Sequence, residues 1–227
     1  MMLNNIFVKG LPNYVALLRE FVKHRSEVSV PVNNYFSNFD ALCLHNMIAK
    51  YRPKKYVEIG SGFSTLVASR AISLYGLDTK IISIDPEPRT QVDEVCSVVY
   101  RRLLNMEDVG WITTLKKGDI IFIDASHQLL DGSDVAIFFL EILPRLQPGV
   151  IVQLHDIYLP RAYPHDWEER QYSEQYALAI ALVFGQTKIH VLLPNGYISV
   201  LQSYANEFGV GKSFWFEVQY HGALYCK

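Results

Sequence analysis

The stretch Tyr56-Val57-Glu58-Ile59-Gly60-Ser61-Gly62-Phe63-Ser64 reads as a strand, a glycine turn and a helix start in immediate succession. The first four residues are a short run of β-formers, and Gly60 and Gly62 interrupt it. The helical segment that follows, from about Ser64 to Tyr75, is stopped by Gly76 in the position where helices commonly end. Strand, turn and helix in this order open an α/β sheet. In such sheets ligands sit beyond the carboxyl ends of the strands, so the residues just after each strand are the ones to inspect.

Outward from this unit the punctuation repeats. Lys80–Ile84 is a second strand, ended by Asp85, Pro86 and Pro88, because proline cannot continue a ladder. A short strand is expected at Ser97–Tyr100, with a helix or loop after it. Asp119–Asp124 is a buried-strand pattern ending in a carboxylate. Gly132-Ser133 then opens one amphipathic helix carrying Val135, Phe138, Phe139, Ile142, Leu143 and Leu146. Val150–Leu154 is a strand ending at His155-Asp156, a polar loop leads to a helix over Ser173–Phe184, and strands follow at Ile189–Leu193 and Ser213–Val218. Upstream, a helix is expected over Pro12–His24, then a Pro/Asn-rich link from Val30 to Asn38. Asp40 can cap the next helix, which Arg52-Pro53 ends. The fold class is α/β: a doubly wound, mostly parallel sheet of about seven strands with helices on both faces, the final strand a candidate for antiparallel pairing. A helical extension over 1–34 precedes a ligand-binding domain over 35–227.

Composition bounds the function. A net charge of −2 and a pI near 6.4 lack the basic excess that a phosphate backbone needs, which argues against a nucleic-acid partner. The 227 residues are 50% apolar and contain no uninterrupted run of membrane-spanning length, so no membrane partner is expected either. Met1 to Lys9 lack the basic and apolar regions of a secretory signal. Cys43, Cys96 and Cys226 are odd in number and widely spaced, suggesting a reducing, cytoplasmic setting with neither a disulfide framework nor a zinc knuckle.

The strand ends are unusually polar: Glu58 with Gly60 and Gly62, then Asp85, then Asp124 with Ser126 and His127, then His155 and Asp156. Gly60-x-Gly62-x-x-Thr65 lacks the third glycine of the dinucleotide fingerprint. Glu58 inside the motif would repel a pyrophosphate but suits a ligand carrying an amine and a sulfonium. Both features point from NAD toward S-adenosylmethionine.

Through Val57–Ser64, Ile84-Asp85-Pro86 and Phe122-Ile-Asp-Ala-Ser-His127 the chain resembles the class I S-adenosylmethionine-dependent methyltransferases. More narrowly, it is similar to their catechol-methyltransferase-like small-molecule branch. The resemblance implies a Rossmann-like methyltransferase fold. It also implies that Gly60 and Gly62 let backbone approach the methionine part of the cofactor, with Ser64 beside them, that Asp85 accepts the ribose hydroxyls, and that Asp124 lies near the amino group or a metal. The implied activity is O-methylation of a small-molecule acceptor: a sugar, a phenol or another secondary metabolite.

Methyl transfer from a sulfonium leaves the enzyme to position the acceptor and remove its proton. His127 and His155 are the candidate bases, since an ordinary imidazole titrates near ~6.5. The alternative is a divalent cation such as magnesium, for which the resemblance implies Asp124 and Asp156 as ligands. Here His155 precedes Asp156 and Ile157 follows it, where those relatives carry an amide-bearing residue or another acid. The aromatic loop from Tyr158 to Tyr172 reads as a substrate wall or lid, and a homo-oligomer is left open. Two competing readings are a metal-dependent or nicotinamide-dependent oxidoreductase on a similar sheet, the metal-dependent one using His127, His155 and Asp156, and a non-catalytic cofactor-binding module.

Overall fold

A computed structural model describes residues 2–28, 33, 35–185 and 188–219. Cys226, residues 30–32 and 34 of the expected link, and the two ends of the chain lie outside the described residues.

Among the described residues there are seven strands: β1 (Lys55–Ile59), β2 (Lys80–Ile84), β3 (Val98–Tyr100), β4 (Ile120–Ile123), β5 (Ile151–Leu154), β6 (Ile189–Pro194) and β7 (Phe214–Val218). They form one sheet in the order β3-β2-β1-β4-β5-β7-β6. All pairings are parallel except those of β7, which runs antiparallel to both β5 and β6. The order reverses between β1 and β4, so the sheet edge beyond Ile59 and Ile123 is the switch-point cleft. Every residue of β4 and β5 is buried, so both faces of the sheet centre are covered, as parallel sheets require.

The helices are α1 (Met2–Val22), α2 (Asn38–Tyr51), α3 (Phe63–Leu74), α4 (Met106–Ile112), α5 (Asp134–Ile137), α6 (Glu174–Phe184), α7 (Asn195–Ile198) and α8 (Gln202–Phe208). Helix α1 starts ten residues before its expected Pro12 and runs straight through it. The proline withholds one N–H, but a continuous buried stripe of Phe7, Tyr14, Leu18 and Phe21 spans the helix and holds it together. This stripe joins the same core as the sheet, with the Phe7 ring 5.9 Å from that of Phe214.

Ser37, and not Asp40, caps α2: its Oγ accepts from the Asp40 amide at 3.0 Å. Asp40 is turned inward instead, where its carboxylate accepts from the amides of Lys212 and Ser213 and from Asn195 Nδ2. The helix expected as one piece after Ser133 is three segments: α5, a π-helical stretch over Phe138–Ile142, and a 3-10 turn over Leu143–Arg145. Pro144 has no N–H for the carbonyl of Leu140, so the ladder slips to the wider register and Leu143 donates to Phe138. Among the described residues no helix is long and apolar enough to cross a membrane.

Candidate active site

The glycine turn after β1 builds the floor of a cavity of about 350 Å³ at the switch point. Gly60 sits at φ +81°, and a Cβ there would meet the carbonyl oxygen of Asp124 at 1.9 Å, so only glycine lets β1 and β4 diverge this closely. The Ser61 amide donates to Asp85 Oδ2 at 2.6 Å and the Glu87 amide to Asp85 Oδ1 at 2.7 Å. One carboxylate thereby ties the end of β2 to the turn after β1. Of the residues expected to contact a cofactor, Gly60, Gly62, Ser64, Asp85 and Asp124 all line this cavity.

Glu58 does not line it. Its carboxylate is fully buried beneath the turn, where it accepts from Tyr56 Oη at 2.9 Å and from Thr65 Oγ1. Thr65 Oγ1 in turn accepts from the Gly62 amide at 3.0 Å, so Glu58 reaches the glycine turn through one hydroxyl. Burial pushes its carboxyl up to about 7, although these hydroxyl donors pull the other way.

Sequence reasoning missed the opposite wall. Tyr35 stacks on Phe63, with ring centroids 6.3 Å apart, and the Arg89 guanidinium lies 4.4 Å over the Tyr35 ring. Leu103 and Leu104 add an apolar side. Tyr35 lies in the stretch read as a link and the leucines in a stretch without periodicity, so neither carried a signal.

Beyond Asp124 the cavity borders a buried cluster of acids and imidazoles drawn from four elements. His127 Nε2 is 3.1 Å from Asp124 Oδ1 and 3.9 Å from Asp156 Oδ2. Its Nδ1 is 2.7 Å from Oε2 of Glu174, the first residue of α6. The amides of Ser173 and Glu174 both donate to the carbonyl of His127, which itself has φ +57°. His155 Nδ1 lies 3.3 Å from Asp124 Oδ1, and its Nε2 lies 3.5 Å from Asp40 Oδ2. The structure therefore brings together all four residues expected to act as bases or metal ligands. It adds Asp40, Glu174 and Lys212, which sequence reasoning missed. Lys212 Nζ is 3.3 Å from Asp156 Oδ1.

The electrostatics follow from this crowding. Burial opposes charge on both imidazoles, yet the carboxylates against them outweigh it and raise His127 and His155 well above the usual range. Burial likewise opposes the charge of Asp40, but His155 with the Ser213 and Asn195 donors holds its carboxyl down at about 2. Asp124 is depressed below the usual carboxylate range, its two histidines overcoming burial.

The donor set suits a divalent cation. Asp124, His127 and Asp156 each offer one ligand atom, all within 4.8 Å of one another. Asp156 Oδ1 and both ring nitrogens of His155 are buried without a hydrogen bond of good geometry. Beside the cluster, Tyr158, Tyr163, Trp167 and Tyr172 form one aromatic group, mostly edge-to-face, and the Tyr172 ring centroid lies 4.6 Å from that of His127.

Residues 57–157 match the family model of a methyltransferase domain. That span runs from β1 to the residue after Asp156 and so holds the glycine turn, Asp85 and the strand-end cluster. Over this stretch, somewhat under half of the chain, the sequence is similar to a methyltransferase domain. No curated protein matches it at a significant level. Among solved structures, it is similar to a Klebsiella pneumoniae protein provisionally described as an O-methyltransferase, at 14% identity and TM-score 0.52, with 90% of each chain covered. It is also similar to the S-adenosylhomocysteine-bound methyltransferase of Podospora anserina, at 17% identity and TM-score 0.50, covering 90% of this chain and 88% of that one. A Staphylococcus aureus protein provisionally described as a caffeoyl-CoA O-methyltransferase matches at 14% identity and TM-score 0.50, covering 91% and 92%. At these identities the likeness is one of fold. The match to a methyltransferase domain agrees with the absence of a third glycine in the β1 turn and disfavours the nicotinamide-dependent reading.

Proposed function

We propose that this methyltransferase domain transfers the methyl group of S-adenosylmethionine to an oxygen of a small-molecule acceptor. The observation that carries the reading is the shared position of Asp124, which both lines the cavity behind the glycine turn and touches His127 and His155. A cofactor cavity and a proton-handling cluster therefore meet at one side chain. The O-methyltransferase descriptions and the bound S-adenosylhomocysteine among the structures of like fold support the same reading.

In this reading Gly60, Gly62 and Ser64 hold the methionine part, Asp85 accepts the ribose hydroxyls, and Glu58 braces the turn through Thr65. The acceptor enters under the aromatic wall of Tyr163, Trp167 and Tyr172, which suits a phenol or a sugar ring. A divalent cation at Asp124 and Asp156 would supply Lewis-acid activation of the acceptor hydroxyl. In this reading His127 or His155 takes the acceptor's proton only after its own has left, because the carboxylates against both rings favour the charged imidazolium. Residues 1–34 serve as a helical extension to the domain over 35–227, a homo-oligomer is compatible, and the unpaired Cys43 and Cys96 favour a reducing, cytoplasmic setting.

Incubation with methyl-labelled S-adenosylmethionine and a panel of phenols, sugars and other hydroxylated metabolites tests the activity. Label transferred to a hydroxyl, with S-adenosylhomocysteine formed in equal amount, is the predicted result. Cofactor binding with no transfer across the panel would favour a non-catalytic module.

A further inference from the structure

We infer that His127, held in place by Glu174, is the third ligand of a divalent-cation site with Asp124 and Asp156, and that this imidazole gives the site a preference for first-row transition cations over magnesium. The inference rests on the methyltransferase reading only in that the site borders the cofactor cavity.

Three observations carry it. First, the His127 ring is fixed at both ends: Nδ1 is 2.7 Å from Glu174 Oε2, and Nε2 points to Asp124 and Asp156. A carboxylate accepting Nδ1–H leaves the lone pair on Nε2, the arrangement by which proteins orient a metal-bound histidine. Second, the backbone is built for that orientation. The first two amides of the α6 region, Ser173 and Glu174, donate to the His127 carbonyl, which locks a non-glycine residue at positive φ. Third, the opposite side of the cluster is under-satisfied. His155 is 2% exposed with neither ring nitrogen in a hydrogen bond of good geometry. Asp156 Oδ1 accepts none either, with Lys212 Nζ standing 3.3 Å away as an ion pair.

The ligand chemistry sets the cation class. Magnesium favours oxygen donors and several retained waters, whereas imidazole favours cobalt, iron, nickel and zinc.

The test uses the full chain and its binding of Co²⁺, followed by calorimetry and visible absorption, with Mg²⁺ as the competitor. Pulsed electron paramagnetic resonance of bound Mn²⁺ reads nitrogen coupling from an imidazole ligand. The predicted result is Co²⁺ affinity at least tenfold above that for Mg²⁺, and a nitrogen coupling that disappears in His127→Ala. Glu174→Ala should weaken Co²⁺ binding by about 10–100-fold, the usual cost of losing such a partner. Glu174→Gln keeps an acceptor for Nδ1–H and preserves the packing of α6, so it should restore part of that loss. Unchanged Co²⁺ affinity and nitrogen coupling in His127→Ala would overturn the assignment, as would Mg²⁺ binding as tightly as Co²⁺. S-adenosylhomocysteine binding, measured on the same samples, separates the two readings. Its retention without cation binding overturns the cation site alone, and cation binding without it overturns the methyltransferase reading alone.

Discussion

A methyl group placed on Gly60 would lie 1.9 Å from the carbonyl oxygen of Asp124, in a turn whose φ of +81° already disfavours any other residue. This close approach sets the first loop of the sheet against Asp124 of the acid-imidazole cluster, across the strand pair where the topology reverses. Gly60→Ala should therefore cost stability by about 2–4 kcal/mol, combining backbone strain with a clash against backbone that cannot rotate away. Urea denaturation measures the loss, and unchanged stability would show that β1 and β4 part more freely than this geometry allows.

Glu58 gives a pH signature. Its carboxyl sits at about 7 in the fold, against 4.5 for an ordinary glutamate, because burial outweighs its hydroxyl donors. A folded value above the unfolded one means that the contribution of the neutral acid is intact below pH 4.5. It is lost as pH rises to about 7, and constant above that. Glu58→Gln cannot ionise, so its stability relative to the parent should improve by roughly 3 kcal/mol between pH 4.5 and 8. Parallel stability curves for the two proteins across that range would contradict the burial argument.

Asp40 has the opposite sign. Its carboxyl is held at about 2 against burial by His155, Ser213 and Asn195, so the stability it contributes is present above pH 4 and lost as pH falls toward 2. Asp40→Asn should cost about 3–5 kcal/mol at pH 7, the scale for breaking a buried charge pair. The difference should shrink at pH 3. An equal deficit at both values would show that hydrogen-bond geometry, and not charge, carries the role of Asp40.

Asp85 is the residue expected to accept the ribose hydroxyls, and it also ties Ser61 to Glu87. Asp85→Ala should weaken S-adenosylmethionine binding by roughly 1.5–3 kcal/mol, the scale for hydrogen bonds to a charged group, with the fold retained. Calorimetry on a variant with parental circular dichroism checks this. Unchanged affinity would remove Asp85 from the ribose.

Much of this architecture was legible because its signals are local. The turn at Gly60–Gly62 follows its strand directly, and Asp85, Asp124 and Asp156 each stand just past a run of apolar β-formers. The antiparallel β7 could be suspected but not fixed, because strand direction depends on how the chain returns from α8. The residues missed are those whose roles arise only when distant segments meet. Glu174 reads as an ordinary acid in the first turn of a helix, yet 47 positions separate it from the histidine it orients. Asp40 reads as a cap, yet its carboxylate serves amides 172 and 173 positions away. The helix broken before Pro144 shows a further limit. Periodicity records which face is buried but not how a missing N–H shifts the ladder.

The decisive measurement is calorimetric titration of the purified protein with S-adenosylmethionine, S-adenosylhomocysteine and NAD, with EDTA or a divalent cation present. Saturable binding of both adenosyl ligands and none of NAD is the predicted result, since the turn carries two glycines over a buried Glu58 and lacks a third. Absence of adenosyl binding under every condition, or NAD binding in its place, would contradict the assignment of this cavity.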